Sequence, residues 1–218
     1  MDLSVAEFAL ARGVSRQRAL AMIRAGQVDA KRVGRSWIVN QREVSNRQSL
    51  GRPLSSRMAQ LLLNAISGAP LSELESGDRF YVVRYVDRLR ESEEPAQLLH
   101  SWLRSRQIRV INVAANPSDI PEIASDDRVV PSGISDERAG ISAARELEGY
   151  VAEKDIERFI QSNLLVASDS PNVRLHVVST LPDRPVSLGL VIADLADWNR
   201  PREDGRVADL LRSVEWNR

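Results

Sequence analysis

Apolar residues recur at helical spacing from the start of the chain. Val5, Phe8 and Ala9 fall at i, i+3 and i+4, the stripe by which an amphipathic helix meets a core. The stretch opens on Ser4-Val5-Ala6-Glu7, a capping box in which the serine hydroxyl and the glutamate carboxylate satisfy each other's free backbone N–H groups, and this predicts a helix to about Arg12. Gly13 supplies the positive-φ residue of a tight turn, Ser15 caps a second helix over Arg16 to Ala25, and Gly26 ends it. On a wheel of about 100° per residue, Ala19, Leu20 and Ile23 share one side with Met22 at its edge, and Val14 in the turn closes a small core. The periodicity then changes to two short runs, Val28 to Val33 and Ser36 to Asn40, joined by Gly34-Arg35 with glycine at the first central position of a type II′ hairpin. The pattern predicts a helix-turn-helix followed by a wing, with Arg35 at the wing tip and Trp37 as its anchor on the core.

Further along, Gln41 to Ser49 reads as a short helix that Gly51-Arg52-Pro53 breaks. Gly-Arg-Pro is also the centre of minor-groove hooks, but in a chain this rich in arginine a linker is the simpler expectation, with Arg47, Arg52 and Arg57 lending phosphate contacts. From Ser55 the pattern is helical: Met58, Leu61, Leu62, Ala65 and Ile66 share a face, Ser72 and Glu75 form a second capping-box pair, and Phe80, Val83, Tyr85, Val86 and Leu89 make a stripe. Pro95 opens a helix carrying Leu98, Leu99, Trp102 and Leu103. Strands are predicted at Ile108 to Ala114, Val129-Val130, Gly149 to Val151 and Val173 to Val178, and helices at Glu153 to Ser162, Leu188 to Trp198 and Arg206 to Val214. The fold class is therefore α+β, with a winged helix-turn-helix over 1–46, a linker over 47–57 and a mixed α/β body over 58–218 whose first part is helical.

Charge sharpens this division. The chain carries 30 basic and 30 acidic residues and no net charge, but Met1 to Met58 holds 11 Lys+Arg against 4 Asp+Glu, which leaves 19 against 26 for the remainder. A head of +7 on a body of −7 points to a polyanion at one end and a different partner at the other.

The outward side of the second helix carries Gln17, Arg18 and Ala21. A recognition helix reads base edges from its N-terminal turns, where Arg addresses guanine and Gln addresses adenine, so Gln17 and Arg18 are the expected base readers. Ser15 and Arg16, at the helix start, suit phosphate. Arg24, Lys31, Arg32 and Arg35 complete a basic rim. Double-stranded DNA is the expected partner, and a single head on one half-site would bind weakly, so a homodimer or paired operator sites are expected as well.

Catalytic chemistry is not indicated. The chain has no cysteine and two histidines, His100 and His176, which leaves out disulfides and thiolate metal sites and does not suggest a zinc site or a triad. His100 reads as a core-edge histidine and His176, on the Arg174 side of its strand, as an edge or exposed one. Asp126-Asp127, Asp136-Glu137 and Glu203-Asp204 are adjacent pairs that read as solvated turns. No phosphate loop, nucleophile elbow or zinc motif occurs, so neither an enzyme nor a cofactor is expected. The first residues lack the basic start and apolar run of a signal peptide, and no apolar stretch approaches the ~20 residues of a spanning helix. A cytoplasmic protein without membrane association is the expectation.

Leu3-Ser4-Val5-Ala6-Glu7-Phe8-Ala9, Gly13-Val14-Ser15-Arg16-Gln17-Arg18 and Arg32-Val33-Gly34-Arg35-Ser36-Trp37 resemble the small winged helix-turn-helix domains of the excisionase and MerR-like group. Unlike full MerR regulators, the chain has no heptad dimerisation helix after the head and no cysteine ligands. In the body, Gly51-Arg52-Pro53-Leu54-Ser55, the segment from Val130-Pro131-Ser132-Gly133-Ile134-Ser135 through Gly140 to Glu148-Gly149-Tyr150-Val151, and Asn172 to Val178 resemble antitoxins of the AbiEi type. That resemblance implies an operator-binding head and a body that neutralises a nucleotidyltransferase toxin of the AbiEii type. The implied function is a DNA-binding antitoxin and transcriptional autorepressor. The alternatives are a stand-alone effector-responsive repressor and an excisionase-like recombination factor, against which a body of some 160 residues stands.

Overall fold

The computed structural model describes residues 2–12, 14–24, 28, 30–34, 36–40, 52–106 and 108–217. The expected helix at Gln41 to Ser49, the turn glycines Gly13 and Gly26, and Arg35 lie outside them. The chain is an α+β protein that divides into two compact units, Met1–Gly51 and Arg52–Arg218.

In the first unit, β1 (Asp2–Ser4) leads into α1 (Val5–Arg12), α2 (Arg16–Arg24), β2 (Ala30–Val33) and β3 (Ser36–Asn40). The capping box forms: Ser4 N–H donates to Glu7 Oε2 at 2.8 Å and Glu7 N–H to Ser4 Oγ at 3.3 Å. The same hydrogen bonds hold the Glu7 carboxyl below its ordinary pKa, the Ser4 backbone N–H contributing most. Ser15 caps α2, its Oγ accepting from Arg18 N–H at 3.1 Å and its carbonyl from Ala19 N–H at 2.9 Å. Gly34 takes φ +60° at the hairpin tip, a conformation glycine adopts without the Cβ penalty. Val5, Phe8, Ala9, Ala19, Ile23, Val28 and Val39 are buried together, with Leu3, Val14, Leu20, Met22 and Trp37 packed at their edge. The helix side chains of this core are those the wheel predicts, and Trp37 packs against it from the β2–β3 hairpin.

Two features of this unit differ from expectation. Strand β2 begins at Ala30 rather than Val28, because Val28 is turned into the core. The three residues before α1 form a strand, with Leu3 opposite Val39, so the antiparallel sheet has the order β1-β3-β2. A run so short carries no periodicity of its own; β3 makes it a strand by pairing with it.

The second unit runs α3 (Ser56–Ile66), α4 (Ser76–Glu91), α5 (Pro95–Leu103), β4 (Arg109–Val113), α6 (Ile120–Ala124), β5 (Val129–Pro131), β6 (Leu147–Ala152), α7 (Ile156–Ser162), β7 (Val173–Val178), α8 (Leu188–Asp197) and α9 (Pro201–Ser213). Residues 52–57 belong to it: Leu54 is buried and its N–H donates to the Trp102 carbonyl at 2.9 Å. The sheet order is β4-β7-β6-β5, with β6 and β7 parallel and the outer pairs antiparallel. Alternation along the strands gives the sheet two different faces. Leu147, Val151, Val173, Leu175 and Val177 build an apolar layer with Ile120 and Ile123 of α6 and Ile156 and Phe159 of α7. The opposite face carries Glu148, Tyr150, Arg174 and His176, Glu148 lying opposite Arg174 and Tyr150 opposite His176 in the parallel register. Helix α8 covers this polar face, with Gly189, Val191, Ile192, Ala193, Leu195 and Ala196 buried, as a helix enclosed by α3, α5 and α9 must be.

Several expectations for the body are corrected. Ser72 and Glu75 form no capping box: Leu71–Glu73 is a 3-10 turn, Glu75 stands at the N-cap of α4 without a side-chain cap bond, and the Ser72 carbonyl accepts from Arg79 at 2.6 Å. Phe80 is 58% exposed, because the buried line of α4 is Val82, Val86 and Leu89, a register that turns Phe80 outward. His176 is fully buried rather than at an edge, since the Arg174 side of β7 lies beneath α8. Glu203 is buried as well; α9 begins at Pro201, which places the Glu203-Asp204 pair inside its first turn.

Candidate nucleic-acid interface

The solvent side of α2 is built from the residues its core side leaves over. With Ala19 and Ile23 buried, Gln17, Ala21 and Arg24 line up at i, i+4 and i+7, Arg18 lies beside them, and all four are exposed. Ser15 and Arg16 are exposed at the helix start. Ser15 Oγ accepts from Arg18 N–H, which leaves its O–H free to donate. On the hairpin, Lys31 and Arg32 are exposed but adjacent in β2, so they point to opposite faces of the wing. The fourth rim position, Arg35, is outside the described residues. None of Arg16, Arg18, Arg24, Lys31 and Arg32 forms an ion pair with another described residue. The helix thus presents one amide, three guanidiniums and a small residue, Ala21, that lets a surface approach its backbone. Such a face is suited to a polyanion with readable edges.

The body contains a polar assembly of the opposite kind. Tyr150 Oη lies 2.9 and 2.8 Å from the two carboxylate oxygens of Asp194, and Ser132 Oγ donates to Asp194 Oδ2 at 2.6 Å. Arg106 donates to Asp194 Oδ1 from both Nη atoms at 3.1 Å and to Tyr150 Oη at 2.8 Å. Beside it, Glu148 Oε2 accepts from Trp198 Nε1 at 2.7 Å and Ile134 N–H at 3.0 Å, and Oε1 accepts from His176 Nε2 at 2.9 Å. Gly133, at φ +51°, makes room for that carboxylate; a Cβ there would lie 1.8 Å from Glu148 Oε2. The His176 ring stacks on Tyr150 at 5.0 Å, and the Arg174 and Arg200 guanidiniums lie over Trp198 at 4.8 and 4.5 Å.

Electrostatics couple these groups. Burial pushes the Asp194 carboxyl up, but His176, Arg106 and the Ser132 and Tyr150 hydroxyls outweigh it and hold the group below its ordinary value. Burial pulls His176 down, and the charges of Asp194 and Glu148 with the Glu148 hydrogen bond outweigh that and raise it. His100, 3.8 Å from Asp197, goes the other way: burial drives it down to about 4, so it is neutral at pH 7. His100 is the core-edge histidine its apolar neighbours predict.

Sequence reasoning does not single out this assembly. A signal for it exists: Glu148/Tyr150 and Arg174/His176 are both i, i+2 pairs, so each pair shares a strand face. Asp194, Ser132 and Arg106 come from segments 62 and 88 residues apart from their partners and have no local signature. Among the described residues no group of three or more His, Cys, Asp or Glu side chains is placed to hold a metal ion, and no helix is long and apolar enough to cross a membrane. Comparison with known protein families, with curated proteins and with solved structures finds no match to this chain.

Proposed function

We propose that this protein is a DNA-binding antitoxin that represses its own operon through a winged helix-turn-helix head. The observation that carries the DNA half is the solvent face of α2, where Gln17, Arg18 and Arg24 stand exposed around Ala21 with no acidic residue in the helix. In this reading α2 enters the major groove, Arg18 and Gln17 address base edges, Ser15 and Arg16 hold phosphate at the helix start, and Lys31, Arg32 and Arg35 of the wing contact flanking backbone. The two faces of the wing suit different strands, Lys31 on one and Arg32 on the other. The antitoxin half rests on the resemblance of the 130–151 and 172–178 segments, and it gives the acidic body a toxin partner. Two heads, on a homodimer or on paired sites, supply the affinity that one lacks.

The test is binding of the full chain to its own promoter fragment. Wild type should protect a discrete site, with affinity falling by a logarithmic slope of about 0.9 per phosphate contact as salt rises. Arg18→Ala should lose about 1–3 kcal/mol of discrimination at one base pair while the far-UV spectrum stays the same. An unchanged footprint in that variant would sink the major-groove assignment. For the antitoxin half, the adjacent gene expressed alone should arrest growth, and co-expression of this chain should relieve the arrest; a harmless neighbour removes the toxin. An effector-responsive repressor without a toxin is then the remaining candidate, favoured by a small cleft that has Arg106 and Tyr150 in its lining.

A further inference from the structure

The polar assembly beneath α8 opens to solvent on one side. A cleft of about 260 Å³ has Arg106 and Tyr150 in its lining, Leu63 and Ile108 among its apolar walls, and Gln60 and Thr180 among its polar groups. The Arg106 side chain is nine-tenths buried. Three of its five N–H donors are committed to Asp194 and Tyr150. Tyr150 has a single proton and lies within hydrogen-bond distance of both Asp194 oxygens; the phenol is thereby committed, and the guanidinium is the strong donor of the lining.

We infer that this cleft is a binding site for a small carboxylic acid with a compact apolar body, its carboxylate taken by an uncommitted N–H of Arg106 and its body by the Leu63–Ile108 wall. Size and charge select this class. Clefts for drug-sized ligands begin at about 300 Å³, so a nucleotide is too large for this one. A phosphate dianion would place two charges beside an arginine that Asp194 already pairs, whereas a carboxylate adds one. Arginine does not shed its proton on burial, and here Asp194, Tyr150 and Asp197 raise its pKa against the effect of burial, so the guanidinium keeps its charge at any working pH. Ser132 and Tyr150 also hold the Asp194 carboxylate, so a ligand bound through a free Arg106 N–H leaves the Arg106–Asp194 pair in place.

Benzoate titrated into the full chain is the probe, with benzamide as the isosteric neutral control, followed by calorimetry and by the Arg106 side-chain N–H resonance. Benzoate should bind saturably and shift that resonance, and benzamide should bind at least about tenfold more weakly, the loss of one charge-assisted hydrogen bond. Thr180→Trp, at an exposed position on the rim, should close the cleft and abolish binding with the thermal midpoint unchanged. Absence of saturable benzoate binding, equal binding of the two compounds, or undiminished binding by Thr180→Trp each overturns the assignment. The outcome does not depend on DNA or toxin binding, so it stands or falls apart from the antitoxin proposal.

Discussion

The head and the body of this protein place their charges in opposite ways. In the head, α2 and the wing hold Arg16, Arg18, Arg24, Lys31 and Arg32 outward around a core made only of apolar side chains. In the body, Arg106, Asp194, Glu148 and His176 are drawn beneath α8 and tied to one another. An outward charge keeps its hydration and remains available to a partner. An inward one loses several kcal/mol of hydration, which only close pairing and further hydrogen bonds offset. Charge is therefore left to solvent and partners in one unit and tied into the architecture of the other, and the two should respond to the same kind of substitution in different observables.

The largest effect should come from the body. Asp194→Ala leaves Arg106 buried without its counter-ion and Ser132 without its acceptor, and breaking such a pair costs about 3–5 kcal/mol. Arg18→Ala in the head should change stability by less than about 0.5 kcal/mol, as exposed substitutions do, while weakening DNA binding. Urea denaturation of the full chain, read with a promoter-binding assay, measures both. An Asp194→Ala variant as stable as wild type would erase the contrast, and so would an Arg18→Ala variant that unfolds.

The head was far more legible in the sequence than the body's polar centre, for a physical reason. The capping box, the Ser15 cap and the Phe8–Ala19–Ile23 core depend on spacings of three to seven residues, or on one short turn, and local rules reach that far. In the body, the apolar elements were readable by period: β7 spans Val173–Val178 and α5 spans Pro95–Leu103 as predicted. What escaped was the covering of one face by another element. His176 is not legible because alternation shows which residues share a face but not which face a distant helix will bury, whereas Phe80 turns outward because α4 buries the Val82–Val86–Leu89 line. Nor does Ser72-x-x-Glu75 form a capping box, because the 3-10 turn at Leu71–Glu73 occupies its first residues.

A smaller effect, and one that tests whether the inward charges behave as a coupled set, is the pH dependence of the body. His176 is raised above its ordinary value, so its stabilisation is fully present below about pH 6.5 and is lost as pH rises through the raised value. Asp194 is lowered, so its contribution is present above about pH 4 and is lost as pH falls. The joint contribution of these two groups is greatest between these limits. His176→Gln, which keeps a donor for Glu148 but does not titrate, should flatten the alkaline decline in the urea midpoint and leave the acid limb in place. An alkaline limb of equal slope in the variant would separate His176 from the set.

The smallest effect separates structure from recognition within the head itself, at Ser15. Its Oγ holds Arg18 N–H at 3.1 Å, so Ser15→Ala should cost about 1 kcal/mol of local stability, visible as faster amide exchange in α2. If Ser15 also meets phosphate, that variant confounds a lost cap with a lost contact. Ser15→Asp separates them. Aspartate caps as well as serine and its charge suits a helix N-terminus, so α2 should exchange as slowly as in wild type. The same charge repels a phosphate, and DNA binding should fall further than in Ser15→Ala. Were Ser15→Asp to bind DNA as wild type does, the N-terminus of α2 would face away from the backbone, and the docking of the whole face would have to be redrawn around Arg24 and the wing.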